Sequence, residues 1–489
     1  MEAERAKEET DHIIRLLKDK YNQYESIEEK EKREELLLRL NEIIQDWIQG
    51  IAEKKGITEE ERKKSKGKVY TFGSYRLGVH GPNSDMDALC VAPKFVDREQ
   101  HFFKEFYDIL RKLKDVKDIL VIKDALVPHI KLKFMGISID LLFARIDIPE
   151  GMKDDSLKYL NEEKLMIQCD STTLLSINGC KVNDRILELV PNSENFRTTL
   201  RVIKLWAKQK GISSYVFGFL NGVSMAIMVA YVCIQNPRDL PSQLVKKFFI
   251  TFATWEWPKP VTICEINNDY SKHLDIAWSP KSQHPFPVIT PCIHTNCLFK
   301  VNEDTKYIIS KFLISGAEVL MKSAESLEVW DELFKAFEPL ETYKQFLRVD
   351  IVANNEKDFL TWRGFVESKL SFILVGFSKN GVMLHPSSRE FIFPIKEYKF
   401  GVTYFFGMKL KKDASLSIKN NTFDMRTLVE GFCNALIPKR YEFVEKSDVH
   451  NLSTDTFNVR LLPITQSEIR KERGLAEIVE SSPKKKKIE

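Results

Sequence analysis

The chain has 489 residues, which at roughly 150 residues per domain suggests about three domains. Apolar residues make up 43% and charged residues 29%, a composition typical of a soluble globular protein, and this excludes a disordered chain. Its 8 cysteines show no paired spacing, which excludes a small disulfide scaffold. The net charge of +4, from 74 Lys and Arg against 70 Asp and Glu, excludes a wholly basic nucleic-acid binder but not a local basic patch.

Residues 1–190 begin with helices and continue as a mixed region. Apolar residues at spacings of three and four predict helix over 1–55, and we interpret the charged run Ile27–Glu35 as a solvated helix face. The N-terminus is charged throughout, so secretion is not expected. An α/β or α+β domain follows, with a helix at 102–113 and strands at 69–72, 88–91, 118–122 and 137–143.

Residues 191–338 are predicted to be mainly helical, with helices at 196–210, 223–234, 244–252 and 304–322. The 19 uncharged residues from Val216 to Ile234 nominally reach membrane-spanning length. The turn signal Asn221-Gly222 interrupts them, so we predict a buried helix and no membrane contact.

From Pro339 the pattern predicts a strand, helix, strand, strand, helix and strand, the order of a ferredoxin-like sandwich. Its elements include strands at 346–353, 402–410 and 457–462, and helices at 358–374 and 425–436. This third of the chain carries 25 Lys and Arg against 19 Asp and Glu, whereas the preceding 338 residues are slightly acidic.

Asp85 and Asp87 carry the strongest chemical signal, within FGSYRLGVHGPNSDMDALCVAP (72–93). In a strand, two side chains one residue apart leave the same face, about 7 Å apart at the backbone. Two carboxylates at about 4 Å repel by roughly 4 kcal/mol at an effective dielectric constant of about 20, which favours a compensating cation. Their hard oxygen atoms suit Mg²⁺ or Mn²⁺. Alone, however, an Asp-x-Asp pair is weak evidence, because most such pairs are exposed loop residues.

Two further features surround this pair. Gly73-Ser74 follows a short apolar strand and enters a helix, where free backbone N–H groups and a hydroxyl suit a triphosphate. Asp140 lies inside the apolar strand GISIDLLFARI, where an acidic residue is rarely buried unless it is paired or metal-bound. A solvent-facing Asp140 is the alternative. We favour a shared metal site, and therefore metal-dependent nucleotidyl transfer with two ions.

The chain closely resembles eukaryotic nuclear poly(A) polymerases of the polymerase-β-like nucleotidyltransferase superfamily. The resemblance rests on the block 72–93 together with VPHIKLKFMGISIDLLFAR (127–145), LLSINGCKVNDRIL (174–187), FRTTLRVIKLWAKQKGI (196–212), FFITFATWEWPKPV (248–261), PVITP (287–291) and WRGFVESKL (362–370). It implies an α+β multidomain fold with a polymerase-β-like palm (1–190), a helical central domain (191–338) and a ferredoxin/RRM-like RNA-binding domain (339–475), before a basic tail (476–489).

The implied activity is template-independent addition of AMP from ATP to RNA 3′ ends, as in mRNA polyadenylation, with release of pyrophosphate. By resemblance the three carboxylates are catalytic and hold two Mg²⁺ or Mn²⁺ ions. The implied ATP-binding residues are Phe72, Gly73, Ser74, Asn178, Lys204, Tyr215, Gly222 and Val223. Asn178 matches a ribose contact and Lys204 a triphosphate contact. Lys204 also lies inside an apolar helix stripe, although lysines in such stripes usually extend out to solvent.

The chain departs from the family at the adenosine pocket. Ser213 replaces a usual tyrosine and Asn221 a usual glycine, so Tyr215 is our candidate for the missing ring and Val223 for packing on the base. ATP is expected to remain preferred. A terminal uridylyltransferase and an inactive RNA-binding scaffold are the alternatives.

Lys409, Lys411 and Lys412 end a strand that includes Tyr404 and Phe406, and cations interleaved with aromatics suit single-stranded RNA. The alternative places these aromatic rings in the domain core. Pro483 and Lys484–Lys487 form a basic cluster of nuclear-localisation type. We expect a nuclear monomer whose partners are ATP, an RNA 3′ end and pre-mRNA 3′-end processing factors.

Overall fold

The computed structural model describes residues 2–64, 66–123, 125–146, 169–266, 278–322, 326–387, 398–411, 418–419, 422–423, 425–426, 428–432, 436 and 457–475. It opens with helices α1 (Glu2–Arg15, continued by a π-helical turn at Leu16–Lys20), α2 (Ile27–Lys54) and α3 (Glu59–Lys64). A capping box starts α2, since Ser26 and Glu29 each accept a hydrogen bond from the other's backbone N–H. The predicted N-terminal helical region is confirmed.

A five-stranded sheet follows, in the spatial order β1-β2-β5-β4-β3. Its strands are β1 (Lys68–Phe72), β2 (Met86–Ala92), β3 (Val116–Ile122), β4 (His129–Phe134) and β5 (Ile137–Arg145). The neighbours β2 and β5 run parallel, whereas the other pairs are antiparallel. The four predicted strands are confirmed with longer bounds, and β4 is an additional strand.

Short helices connect these strands. The four-residue helix α4 (Gly73–Arg76) joins β1 to the loop before β2. The predicted helix at 102–113 is a π-helical segment, Arg98–Phe106, that continues directly into α5 (Tyr107–Lys112). Helix α2 packs on the sheet through fully or almost fully buried side chains at helical spacing, namely Leu36, Leu40, Ile44, Trp47, Ile48 and Ile51. Each such burial stabilises the fold by about 1.5–3 kcal/mol.

Helix α6 (Ser171–Leu189) follows the first sheet and is additional to the predicted elements. Residues 191–338 are mainly helical, as predicted, and contain α7 (Ser193–Gln209), α8 (Gly222–Gln235), α9 (Pro241–Ala253), α10 (Glu303–Lys322) and the additional helix α11 (Glu328–Phe334). The apolar helix α8 lies inside the largest core cluster, packed against α7 and α9. In the part of the chain described, no helix is both long and apolar enough to cross a bilayer.

The last third contains a four-stranded antiparallel sheet in the order β11-β6-β8-β7. Its elements are α12 (Pro339–Thr342), β6 (Gln345–Ala353), α13 (Glu356–Lys379), β7 (Val382–Pro386), β8 (Phe400–Leu410), the two-residue strands β9 (Ile418–Lys419) and β10 (Thr422–Phe423), β11 (Phe457–Thr465) and α14 (Gln466–Leu475). Of the helix predicted at 425–436, the residues 426, 428–432 and 436 are helical.

Helix α13 covers one face of this sheet. Tyr404 and Phe406 lie in that core, with exposed fractions of 6% and 0%, next to Trp362, Val366 and Leu370. The idea that these two rings offer stacking surfaces for RNA is therefore wrong, and the alternative that they form the domain core is confirmed.

Candidate active site

The parallel pairing of β2 and β5 brings two of the predicted carboxylates together. Asp87 and Asp140 are opposite each other in the register of the two strands. Asp85 lies immediately before β2, which begins at Met86. The buried residues that flank Asp87 and Asp140 along their strands fix this register, because a shift by one residue would turn apolar side chains to the other face.

Lys131 extends from β4 toward the same cluster. It pairs with Asp140 across the sheet, and its Nζ lies 3.3 Å from Asp140 Oδ1 and 3.8 Å from Asp85 Oδ2. An ammonium group therefore lies between two of the three carboxylates and reduces their mutual repulsion. Lys131 has no predicted role. The alternation in HIKLKF, with buried Ile130, Leu132 and Phe134, was the available signal that its lysines share the opposite face.

Asp87 is the most strongly perturbed acid of the cluster. Burial, and then the neighbouring charges of Asp140 and Asp85, raise its pKa from 3.8 to about 6. Asp140 Oδ1 is buried without a hydrogen-bond donor, although it lies within ion-pair distance of Lys131. Carboxylates that converge in this way fit divalent cations, whose positive charge would favour the ionised form of Asp87. Among the described residues, no group of three or more His, Cys, Asp and Glu side chains is arranged to hold a metal ion.

Gly73 allows α4 to begin directly against Asp87. Its φ of +65° is in the left-handed region, and a Cβ atom there would lie 1.9 Å from Asp87 Oδ2. Asn183 on α6 donates to the Gly73 carbonyl at 2.8 Å. Gly73 and Ser74, the predicted phosphate contacts, thus lie beside the carboxylates, as the sequence predicts.

Helices α6 and α7 contribute two further predicted residues. Asn178 lies on α6, and its Oδ1 is buried without a hydrogen-bond donor. The Phe72 ring packs against the neighbouring Gly179 of the same helix, since a Cβ on Gly179 would lie 2.8 Å from that ring. Lys204 on α7 donates to the Val79 carbonyl at 3.0 Å. Burial lowers the pKa of Lys204 to about 8, while attraction to Asp87 opposes the shift. Lys204 thus points toward the site rather than out to solvent.

Tyr215, Gly222 and Val223 form a second group, whose contacts run to residues 297–300 and to the helical core instead of to the carboxylates. The Tyr215 ring lies 5.8 Å from that of Phe299 and 4.8 Å from Lys300 Nζ, and burial raises the pKa of its hydroxyl. Val223 is half-buried against the central core. A Cβ on Gly222 would meet no atom within 4 Å, so this helix start is open.

The predicted RNA contacts differ in their surroundings. Lys409 is exposed, with its Nζ 5.9 Å from the Tyr307 ring. Lys411 pairs with Asp304 Oδ1 at 2.7 Å and donates to Ser378, so it links the C-terminal sheet to α10. Lys412 lies outside the described residues, as does the basic tail.

The raised pKa of Asp87 predicts a pH-dependent stability. Because the folded-state pKa exceeds the unfolded one, the stabilisation from its protonated form is full below about pH 4 and is lost as the pH rises through about 6. In chelator, Asp87→Asn should therefore increase the free energy of unfolding by about 3 kcal/mol near pH 8 and by only about 1 kcal/mol near pH 4.5. Denaturant titrations at both pH values measure this. An equal effect at both would contradict it.

Comparison with known proteins identifies the family. A model of the poly(A) polymerase nucleotidyltransferase domain matches residues 3–190, and one of the poly(A) polymerase central domain matches residues 195–336. The solved structure of a cytoplasmic RNA terminal U-transferase aligns with 68% of this chain and 99% of its own, at 17% identity and a TM-score of 0.46. At this level of similarity the match supports no conclusion about the nucleotide that the present chain uses.

Curated relatives are more similar. Nuclear poly(A) polymerase 2 of Arabidopsis thaliana is 37% identical over 84% of this chain, and a poly(A) polymerase of Dictyostelium discoideum is 39% identical over 72%. The chain spans 51% and 44% of the length of these two proteins. Two domain models that match consecutive parts of the chain, and relatives at this identity, show that it belongs to the poly(A) polymerase family and has a polymerase-β-like nucleotidyltransferase fold.

Proposed function

We propose that the chain transfers AMP from ATP to the 3′ end of RNA without a template, as in mRNA polyadenylation. The observation that carries this proposal is the position of Asp85, Asp87 and Asp140 at one end of the sheet, directly beside the Gly73-Ser74 helix start. An acidic cluster adjoining a candidate phosphate site is the arrangement that nucleotidyl transfer requires. Family membership supports the same reaction.

Primer extension with each of the four NTPs tests the proposal. The purified chain should extend a short RNA with ATP in preference to UTP, GTP and CTP. Comparable incorporation of UTP would instead support the terminal uridylyltransferase. No incorporation of any NTP at any divalent-metal concentration would leave the RNA-binding scaffold. Ser213, Tyr215 and Asn221 make this comparison informative, because all three positions belong to the departures at the base pocket.

Asp85, Asp87 and Asp140 would hold the divalent ions that nucleotidyltransferases of this family use, and we propose two ions, Mg²⁺ or Mn²⁺. When bound, such ions lower the pKa of an attacking hydroxyl and neutralise charge on the leaving pyrophosphate. The buried, donor-free Oδ1 of Asp140 and the raised pKa of Asp87 fit this role, because both carboxylates gain when a cation arrives. Their position on paired strands fixes them relative to each other before substrate binds.

The remaining residues orient ATP. The backbone at Gly73 and Ser74 and the Lys204 ammonium bind the triphosphate in this proposal, since Lys204 has protons to spare beyond the one donated to Val79. Asn178 Oδ1, an acceptor without a donor, is suited to a ribose hydroxyl. Phe72 supports α6 at this point, while Tyr215, Gly222 and Val223 line the base side.

We propose that residues 339–475 are an RRM-like RNA-binding domain, 1–190 the catalytic domain and 191–338 the central one. The sheet order β11-β6-β8-β7, with α13 between β6 and β7, supports the first assignment because it is the order of a ferredoxin-like sandwich. Lys409 is the exposed candidate for phosphate contact, and Lys412 is proposed from the sequence alone. Lys411 is a weaker candidate, because Asp304 already neutralises it.

If this domain contacts the phosphates of RNA, its affinity for RNA should depend on the salt concentration. The affinity for a non-extendable RNA should fall steeply with salt, and Lys409→Ala should make the slope of log K against log[salt] shallower by about 0.7 per lost contact. Lys30→Ala is the matched control, since Lys30 on α2 is also exposed (63%). Fluorescence anisotropy at several salt concentrations gives both slopes. An affinity that salt does not change would contradict the proposal.

We also propose that the protein acts in the nucleus as a monomer, with pre-mRNA 3′-end processing factors as partners. The cluster Pro483–Lys487 and the name of the Arabidopsis relative support the nuclear location. Deleting residues 483–489 from a fluorescent fusion should abolish nuclear accumulation, and unchanged localisation would refute the role of this cluster.

A further inference from the structure

The loop 77–84 connects helix α4 to strand β2, and buried arginines on α2 and α7 donate hydrogen bonds to its backbone. Arg33 on α2 is 2% exposed, and its Nη2 donates to the Ser84 carbonyl at 2.7 Å. Ser84 immediately precedes Asp85. The run Ile27–Glu35 therefore contains one buried cation, and its interpretation as a solvated helix face is wrong at Arg33.

Arg201 on α7 holds the other half of the loop. Its Nη1 donates to the Gly78 carbonyl at 2.7 Å and its Nη2 to the His80 carbonyl at 3.4 Å. Its guanidinium lies 4.4 Å from the centre of the Tyr24 ring. Arg201 is 9% exposed, so these bonds are shielded from water and competing ions. Together with Arg197 and Lys204, it places three cations on one face of α7, against consecutive carbonyls from Leu77 to Val79.

Glu25 joins the two sides. It accepts a hydrogen bond from His80 at 2.6 Å and forms an ion pair with Arg33 Nε at 3.3 Å. The backbone carbonyls of Gly78, His80 and Ser84 thus accept hydrogen bonds from buried arginines of α7 and α2. In contrast, the Asp85 side chain is 54% exposed, and its ion pair with Lys131 is 3.8 Å long. Its backbone, more than its own contacts, sets where this carboxylate points.

We propose that Arg33 and Arg201 are positioning residues that hold loop 77–84 so that Asp85 lies in place beside Asp87 and Asp140 for divalent metal. This inference rests on the proposed function. Loss of a residue that orients a metal ligand without contacting the metal typically changes metal affinity or activity 10–100-fold. The triphosphate contacts at Gly73, Ser74 and Lys204 do not pass through Arg33, so its loss should lower metal affinity and kcat and leave KM for ATP nearly unchanged.

The test combines two readouts on the full chain. Arg33→Met is made together with Glu25→Gln, because removing only one partner would leave a buried unpaired charge. Mn²⁺ binding without nucleotide or RNA is measured by electron paramagnetic resonance, and primer extension gives kcat and KM for ATP. We expect Mn²⁺ affinity and kcat to fall about 10–100-fold and KM for ATP to change less than about threefold. Arg201→Met should also lower Mn²⁺ affinity and kcat. Arg33→Lys, which keeps the positive charge, should bind Mn²⁺ more tightly than the Arg33→Met/Glu25→Gln protein.

Control variants distinguish an effect on the position of Asp85 from an effect on folding. Arg39→Met removes another arginine of α2, which pairs with Asp115 at the surface at 2.8 Å, and should leave both readouts unchanged. Wild-type Mn²⁺ affinity and kcat in the Arg33→Met/Glu25→Gln protein would overturn the inference. So would losses that merely follow a reduced folded fraction in thermal melts. If the wild-type chain extends no primer, the proposed function fails, while the Mn²⁺ titration still decides the role of Arg33.

Discussion

Replacing Asp140 by asparagine is expected to lower kcat for AMP addition at least about 10³-fold. The carboxylate is one of three that would hold the divalent ions, and such ions supply several kcal/mol of transition-state stabilisation, where each 1.36 kcal/mol is worth a factor of ten in rate. Single-turnover primer extension at saturating ATP measures the change directly.

The same substitution should not unfold the protein. Removing the Asp140 charge relieves its repulsion of Asp87, so the pKa of Asp87 should move down toward its ordinary value. Lys131 loses a partner but is 44% exposed, and ion pairs of this kind contribute little. Asp115→Asn, which removes a surface carboxylate of the same domain, is the control with wild-type activity. Full activity in Asp140→Asn would refute the assigned chemistry.

Gly73→Ala is expected to reduce kcat by about 10²-fold or more, although it adds a single methyl group. The new Cβ would lie 1.9 Å from Asp87 Oδ2 and 2.9 Å from its Cγ, so the carboxylate must move. A displacement of about 1 Å in a catalytic group is enough to lower a rate about 10²-fold. The φ of +65° adds strain of order 1 kcal/mol or more for any residue with a Cβ.

Gly50→Ala is the matched control for this substitution. Gly50 lies inside α2 at a negative φ, and a Cβ there would contact nothing within 4 Å. It should raise stability slightly, since alanine favours helix over glycine by about 1 kcal/mol, and leave kcat unchanged. Kinetics and thermal melts of both variants distinguish the steric clash with Asp87 from an effect that any glycine-to-alanine substitution would have. A Gly73→Ala enzyme with wild-type kcat would show that Asp87 does not need its present position.

Periodicity predicted most of the fold because the helices and strands carry their apolar residues at regular spacing. Strand β4 is absent from the predicted strands, although its pattern HIKLKF alternates apolar and polar residues as a half-buried strand does. Asp85, Asp87 and Asp140 were recognisable because carboxylates inside or beside apolar strands are unusual. Their register was not, since the pairing of β2 with β5 joins segments about 50 residues apart.

Burial of charged groups was the least predictable feature. Arg33 lies among exposed Glu and Lys residues, and its contacts with Ser84, 51 residues away, and with Glu25 distinguish it. The same holds for Lys411, whose ion pair with Asp304 reaches another part of the chain. Local sequence contains no record of such partners, because they arise from tertiary packing. Tyr404 and Phe406 show the converse, since aromatic residues suit a core and a nucleic-acid surface equally well.

Lys131 supplies the acidic cluster with a counter-ion from within the chain, because its ammonium lies within ion-pair distance of both Asp85 and Asp140. Part of the electrostatic cost of bringing these carboxylates together on folding is therefore offset by a residue of the neighbouring strand β4. Any cation that binds between the two carboxylates competes with this ammonium.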